Sequence, residues 1–164
     1  MDQGLAAALG AVVGVLAVVA GSYLTAFHAK KAQKREARRD VYRAFLSELS
    51  EAQAQIQKLR DSILYGPRDE IDDDIGTRLK EMENEISRLR NLEVGVRLEG
   101  PDSISSSARE VTQVIAWTWA RMKFTHTSSL DEDTYYKMVE TIEADCFSLE
   151  EKVNSLLQEA PRHL

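Results

Sequence analysis

The chain begins with a long run of apolar residues, and this run constrains its architecture more than any other feature. Gly4 to Phe27 contains no charged side chain, and lysines and arginines follow from Lys30 onward. About 20 apolar residues suffice for a helix to cross the ~30 Å hydrocarbon layer of a bilayer. Only a helix would satisfy the backbone hydrogen bonds of such a segment in lipid. The sequence therefore predicts a transmembrane anchor over residues 1–28.

The residues after this run form a basic collar, residues 29–43, which predicts an orientation. The collar carries a net charge of +5, since Glu36 and Asp40 offset part of its seven cations, Lys30, Lys31, Lys34, Arg35, Arg38, Arg39 and Arg43. By the positive-inside rule we expect a single-pass protein of the cell membrane, with its N-terminus outside and its C-terminal domain in the cytoplasm. The collar would then contact anionic lipid headgroups. A cleaved signal peptide is disfavoured, because Met1-Asp2-Gln3 lacks the positive charge that such peptides carry at their start.

The remaining residues, 44–164, have the composition of one small acidic domain. They contain 14 positive and 24 negative side chains, a net charge of −10. Because an acidic body repels a polyanion, we expect no nucleic-acid partner. Cys146 is the only cysteine, which excludes an internal disulfide and a thiolate metal cluster.

Four stripes of apolar residues run through this domain at helical spacing, with steps of three and four residues. Gly66-Pro67 follows the first stripe and Gly100-Pro101 follows the second. A helix is expected to end at each, because proline cannot continue a helix. The pattern predicts an all-α fold in which the transmembrane helix leads into an antiparallel bundle of three to four helices with coiled-coil-like packing. The stripes are Tyr42, Phe45, Leu49, Ala52, Ile56, Leu59, Ile63; Ile75, Leu79, Met82, Ile86, Leu89; Ile104, Ala108, Val111, Ile115, Trp119, Met122; and Tyr135, Val139, Ile142, Cys146, Leu149, Val153, Leu156.

Two local patterns refine the helix boundaries. Residues 92–98 alternate between apolar and polar side chains, as a half-buried strand does. No second alternating run exists to pair with them, so we interpret them as the tail of the second helix. Ser129 and Glu132 form a capping-box pattern, S-x-x-E, which predicts the start of the fourth helix.

Residues capable of chemistry are present but are not arranged as a site. The acidic patch from Asp69 to Asp74 lacks the glycine that a calcium loop needs at its sixth position, where Ile75 stands. It is better read as the acidic start of a helix. The three histidines are scattered, and Cys146 lies on an apolar stripe, where a cysteine is usually a buried hydrophobe. We expect no catalytic residue, no metal and no cofactor, and hence no enzyme.

Two patterns favour association. Gly10, Gly14, Ala17 and Gly21 form a face of small residues, which allows close packing of helices in a membrane. The alternative is an ordinary lipid-exposed face.

The second pattern concerns Trp117 and Trp119, which lie roughly 200° apart around a helix, so both cannot face one core. With Trp119 in the core, Val114, Trp117 and Phe124 lie on another face. That face is either enclosed by neighbouring helices or exposed as a partner patch.

The segments REARRDVYRAFL and VRLEGPDSI, set in this layout, resemble uncharacterised actinobacterial proteins with one N-terminal span, an arginine-rich collar and a small helical domain. The layout is also similar to the b subunit of ATP synthase, although the Gly-Pro breaks argue against a continuous stalk. The resemblance implies an anchored helical domain and no known activity.

We expect a membrane-anchored interaction or scaffold protein that binds a protein partner or a second copy. The alternatives are a prophage exclusion or phage-defence effector that acts on the membrane, and a stalk-like subunit of a membrane complex.

Overall fold

The structure, a computed structural model, describes residues 2–65 and 72–160, and it describes side chains over 21–65 and 75–160. Four helices occupy these ranges: α1 (Asp2–Tyr65), α2 (Asp72–Glu99), α3 (Asp102–Thr127) and α4 (Glu132–Glu159). The described part of the chain contains no strand. The chain divides into two compact units, Met1–Ala37 and Arg38–Leu164. The first unit holds the N-terminal part of α1, and the second is an all-α bundle.

The predicted membrane location is wrong, and with it the predicted orientation. Among the residues that the structure describes, none of the helices is long and apolar enough to cross a membrane. From Gly21, where the described side chains begin, the apolar residues extend only to Phe27 before the cations Lys30 and Lys31. Residues 4–20, which make up the rest of the predicted span, lie outside the described side chains.

The bundle places each helix antiparallel to its neighbours, and one polar contact between each pair shows the pairing. Arg88 Nε of α2 donates to Glu48 Oε1 of α1 at 2.6 Å. Lys123 Nζ of α3 lies 3.3 Å from Glu83 Oε2 of α2, and Lys152 Nζ of α4 lies 2.9 Å from Glu110 Oε2 of α3. The Tyr135 hydroxyl of α4 donates to the Ile63 carbonyl of α1 at 3.1 Å. The four helices therefore run alternately up and down around one core.

The core consists of the four stripes read from the sequence. Almost every stripe residue is buried, while Ile63, Trp119, Tyr135 and Val139 at the edges are half-buried. The stripes pack together because a helix with one apolar face must cover it against another. The all-α bundle predicted from periodicity is confirmed.

The segment 92–98 is helical, as predicted. Val96 lies seven residues after Leu89, and both are completely buried in the core. Val94 and Leu98 lie on the opposite side of α2 and are exposed. The apparent alternation arises because residues two apart on a helix face different ways.

The helix ends are partly as predicted. At Gly100-Pro101 the break is real, since α2 ends at Glu99 and Pro101 is the N-cap residue of α3. The predicted capping box at Ser129 and Glu132 is wrong. The N-cap of α4 is Asp131, whose carboxylate accepts from the Thr134 backbone N–H at 2.9 Å. Gly66-Pro67 lies outside the described residues.

Candidate protein interface

The two tryptophans of α3 face different surroundings. Trp119 is half-buried, and its indole Nε1 donates to the Leu79 carbonyl of α2 at 2.9 Å. Lys123 Nζ lies 4.7 Å from the centre of the Trp119 ring, within the range of a cation–π contact. Trp117 instead leaves 59% of its surface exposed on the outer side of α3. Since a tryptophan is a large and largely apolar side chain, this exposure needs an explanation.

Trp117 separates two surface grooves. One lies between α3 and α4 and has a volume of about 240 Å³. Besides Trp117, its lining residues are Glu110, Gln113, Val114, Asp145 and Lys152. Its charges are matched, because Lys152 pairs with Glu110 and Arg121 pairs with Asp145. This groove therefore has an apolar side at Val114 and Trp117 and a neutralised polar side.

The other groove, the α2–α3 groove, has a volume of about 300 Å³. Its lining includes two charged residues, Glu83 and Arg90. The other lining residues are apolar: Ile86, Ala116, Trp117, Trp119 and Ala120. Glu83 pairs with Lys123, whereas Arg90 has no ion pair among the described residues. Ala116 and Ala120 lie between the two tryptophans around α3, and their small side chains leave room for an inserted side chain.

The structure brings together only part of the predicted patch. Val114 and Trp117 line the same groove, and Val114 also packs against the core. Phe124 is 51% exposed, but neither groove includes it. Sequence reasoning missed the contribution of α2, above all Arg90. The sequence alone could not have identified Arg90, because its lack of an ion pair depends on which residues of α3 lie near it.

The collar residues differ in their surroundings. Lys30, Lys31, Lys34 and Arg35 are exposed. Arg38 is half-buried, and its Nε, like the Tyr42 hydroxyl, is buried without a hydrogen-bond partner. Arg39 is exposed, and Arg43 Nη1 lies 3.9 Å from Asp40 Oδ1. The assignment of these cations to lipid headgroups stays a prediction.

The predicted self-association face of small residues is mostly outside the described side chains, since Gly10, Gly14 and Ala17 precede residue 21. At Gly21 an added Cβ would meet no atom within 4 Å. This position is open, and the packing role proposed for it from the sequence stays a prediction.

The described residues contain no group of three or more His, Cys, Asp or Glu side chains that could hold a metal ion. Cys146 is buried, and burial raises the pKa of its thiol to about 11, so it is protonated at neutral pH. A reactive cysteine needs an exposed and electropositive setting. The acidic patch that resembled a calcium loop includes Glu70, Asp72 and Asp74, which lie outside the described side chains.

Comparison of the chain with protein-family models, with curated proteins and with solved structures finds no match. The resemblance to actinobacterial proteins stays a prediction.

Proposed function

We propose that this protein is a helical interaction module that binds another protein through the outer face of α3. The observation that carries the proposal is the exposed indole of Trp117, which lies between two grooves of the bundle. Tryptophans are enriched among the residues that dominate binding energy at protein interfaces. A partner that covers Trp117 would remove a large apolar surface from water.

The surroundings of Trp117 support a preformed binding surface. Trp119 is fixed by its hydrogen bond to Leu79, and α4 is tied to α3 by the Lys152–Glu110 and Arg121–Asp145 pairs. Both grooves therefore have walls that are positioned before a partner arrives. Preorganisation of this kind increases affinity, because less conformational entropy is lost on binding.

The test is site-specific photo-crosslinking of the full chain in its own cells. A photoreactive amino acid is placed at Gln113, which lines the α3–α4 groove beside Trp117. We expect a discrete crosslinked product with a second protein, which mass spectrometry identifies. The same experiment is repeated with Trp117→Ala, and with Leu157→Ala as a control at a partly exposed apolar position of α4.

The proposal requires that Trp117→Ala abolishes the product and that Leu157→Ala preserves it. With the identified partner purified, Trp117→Ala should weaken binding by about 30-fold, the loss expected for a central aromatic contact. Undiminished crosslinking in the Trp117→Ala variant would contradict the proposal. A product that contains only two copies of this chain would also contradict it.

A further inference from the structure

The α2–α3 groove continues into a stripe of unpaired arginines along α2. Arg90, Val94 and Arg97 recur at steps of four and three residues, so they lie on one face of the helix. All three are exposed, and Val94 leaves 42% of its surface open. Neither arginine forms an ion pair in the described part of the chain, although Glu93 lies one turn from each of them. The stripe is therefore cationic with an apolar residue at its centre.

A third exposed arginine, Arg109, lies on α3 near the end where α2 and α3 connect. Arg97 lies three residues before Gly100, and Arg109 lies eight residues after Pro101. Arg109 has no ion pair within the described residues. All three arginines thus lie on the half of the α2–α3 pair that is next to this connection.

These arginines without ion pairs contrast with the paired cations of the neighbouring groove. Residues 44–164 carry a net charge of −10, and each described cation of the α3–α4 groove has a carboxylate partner. Among the described residues that line the α2–α3 groove, the only carboxylate is that of Glu83, which pairs with Lys123. A partner with carboxylates would supply the ion pairs that the three arginines do not form within the described residues.

We infer that the α2–α3 groove binds an acidic segment of the partner protein that carries a bulky apolar side chain. The apolar side chain inserts over Ala116 and Ala120 between Trp117 and Trp119, and carboxylates reach Arg90, Arg97 and Arg109. An arginine binds a carboxylate through two parallel hydrogen bonds, which fixes the position of the segment along the groove. This inference rests on the proposed function, since it names the chemistry of the partner that covers Trp117.

A nucleic acid would offer negative charge and bases that stack on tryptophan. The net charge of the domain argues against it, because the field of an acidic protein repels a long polyanion. A short acidic segment avoids this repulsion, since its carboxylates are few and each one meets an arginine at close range.

The test measures binding of fluorescent peptides to the full chain by anisotropy, with a non-ionic detergent to prevent aggregation through the apolar residues 4–27. The probe is an amidated peptide of sequence EELFEELLDEFE. A neutral peptide, QQLFQQLLNQFQ, keeps its apolar residues, and an oligothymidylate of similar length represents nucleic acid. We expect the acidic peptide to bind at least about tenfold more tightly than the neutral one.

Variants locate the binding site. The double substitution R97E/R109E should weaken binding of the acidic peptide by roughly tenfold or more and leave the neutral peptide unaffected. Trp117→Ala should weaken binding of the acidic peptide by about 30-fold. The control K58E/K137E makes the same change of charge at exposed lysines of α1 and α4 and should have little effect. Circular dichroism checks that each variant keeps its helices.

Equal affinity for the acidic and neutral peptides would overturn the inference, as would tighter binding of the oligothymidylate. The two proposals fail in different ways. If Trp117→Ala abolishes crosslinking in cells but no acidic peptide binds, the charge preference fails and the proposed function stands. If crosslinking persists in that variant, the proposed function itself fails.

Discussion

We expect removal of the Tyr42 hydroxyl to stabilise the bundle, which is unusual for a substitution in a protein core. Tyr42 leaves only 2% of its surface exposed, and its hydroxyl oxygen is buried without a hydrogen-bond partner. Burial raises the pKa of this hydroxyl and Arg38 lowers it by a smaller amount, so the group is neutral at physiological pH. Leaving a buried polar group unpaired costs about 1–3 kcal/mol. Tyr42→Phe should therefore stabilise the bundle by up to about 1–3 kcal/mol.

Tyr135→Phe is the matched control. The Tyr135 hydroxyl donates to the Ile63 carbonyl at 3.1 Å, so its removal breaks a hydrogen bond between α4 and α1. A typical hydrogen bond contributes about 0.5–1.5 kcal/mol, and we expect the Tyr135 variant to be less stable by about that amount. The two substitutions remove the same atom and should change stability in opposite directions.

Urea denaturation followed by circular dichroism measures both effects. The midpoint should rise for Tyr42→Phe and fall for Tyr135→Phe, with the slope of the free energy against urea unchanged, since neither substitution alters the surface exposed on unfolding. A Tyr42→Phe variant less stable than the wild type would refute the reasoning. That result would mean that the hydroxyl has a partner, such as an ordered water molecule, whose contribution exceeds the cost of burial.

Further predictions concern packing, charge and capping. Gly100→Ala should destabilise the bundle by about 1–3 kcal/mol in the same assay, because the new Cβ would clash with the Tyr42 hydroxyl oxygen; a Tyr42→Phe background should recover part of the loss. The pKa of Glu85 is raised, mainly by burial, and Arg88 opposes the shift. A raised pKa in the folded state means that folding takes up protons, so Glu85 should make the bundle more stable as pH falls from neutral towards the usual range of a glutamate. Glu85→Gln should remove that gain and raise stability at pH 7, which urea titrations across pH would show. Cys146 should react with a thiol reagent only as fast as the bundle opens, since its thiol is buried and its pKa is about 11; rapid reaction in the native state would contradict this. Asp131→Ala should cost about 0.5–2 kcal/mol, the usual loss at an N-cap, whereas Ser129→Ala should be almost neutral in the same urea denaturation assay.

The helices and the core could be predicted because their signal is local and repeated. Every stripe residue contributes to one periodic pattern, so the alternating segment 92–98 does not alter the conclusion. The start of α4 was harder, because Ser129 and Asp131 both precede residues suited to a capping interaction. The choice depends on how the chain leaves α3, where the Ser128 backbone N–H donates to the Phe124 carbonyl and Leu130 donates to Ser128. That turn places Asp131 at the first free N–H groups of the helix.

The candidate site could be predicted only in part, since it depends on contacts between helices. The angle between Trp117 and Trp119 shows that only one of them can face the core, and the third stripe selects Trp119. What the sequence does not show is whether neighbouring helices enclose Trp117 or leave it exposed, since that depends on how α2 and α4 pack against α3. The arginines of the groove were missed for the same reason. In the sequence Arg90, Arg97 and Arg109 look like ordinary solvent-exposed charges.

The position of Trp117 also explains why a binding surface can exist here without weakening the fold. The core stripe of α3 is complete without it, since Ile104, Ala108, Val111, Ile115 and Met122 are fully buried. On the α2 side, the Trp119 indole donates a hydrogen bond to the Leu79 carbonyl. On the other side, two ion pairs join α3 to α4. Replacement of Trp117 therefore removes few contacts that the folded bundle needs, and surface substitutions of this kind usually change stability by less than about 0.5 kcal/mol. A variant that loses its partner while keeping its stability is the signature of an interface residue, and the geometry of α3 makes this separation measurable.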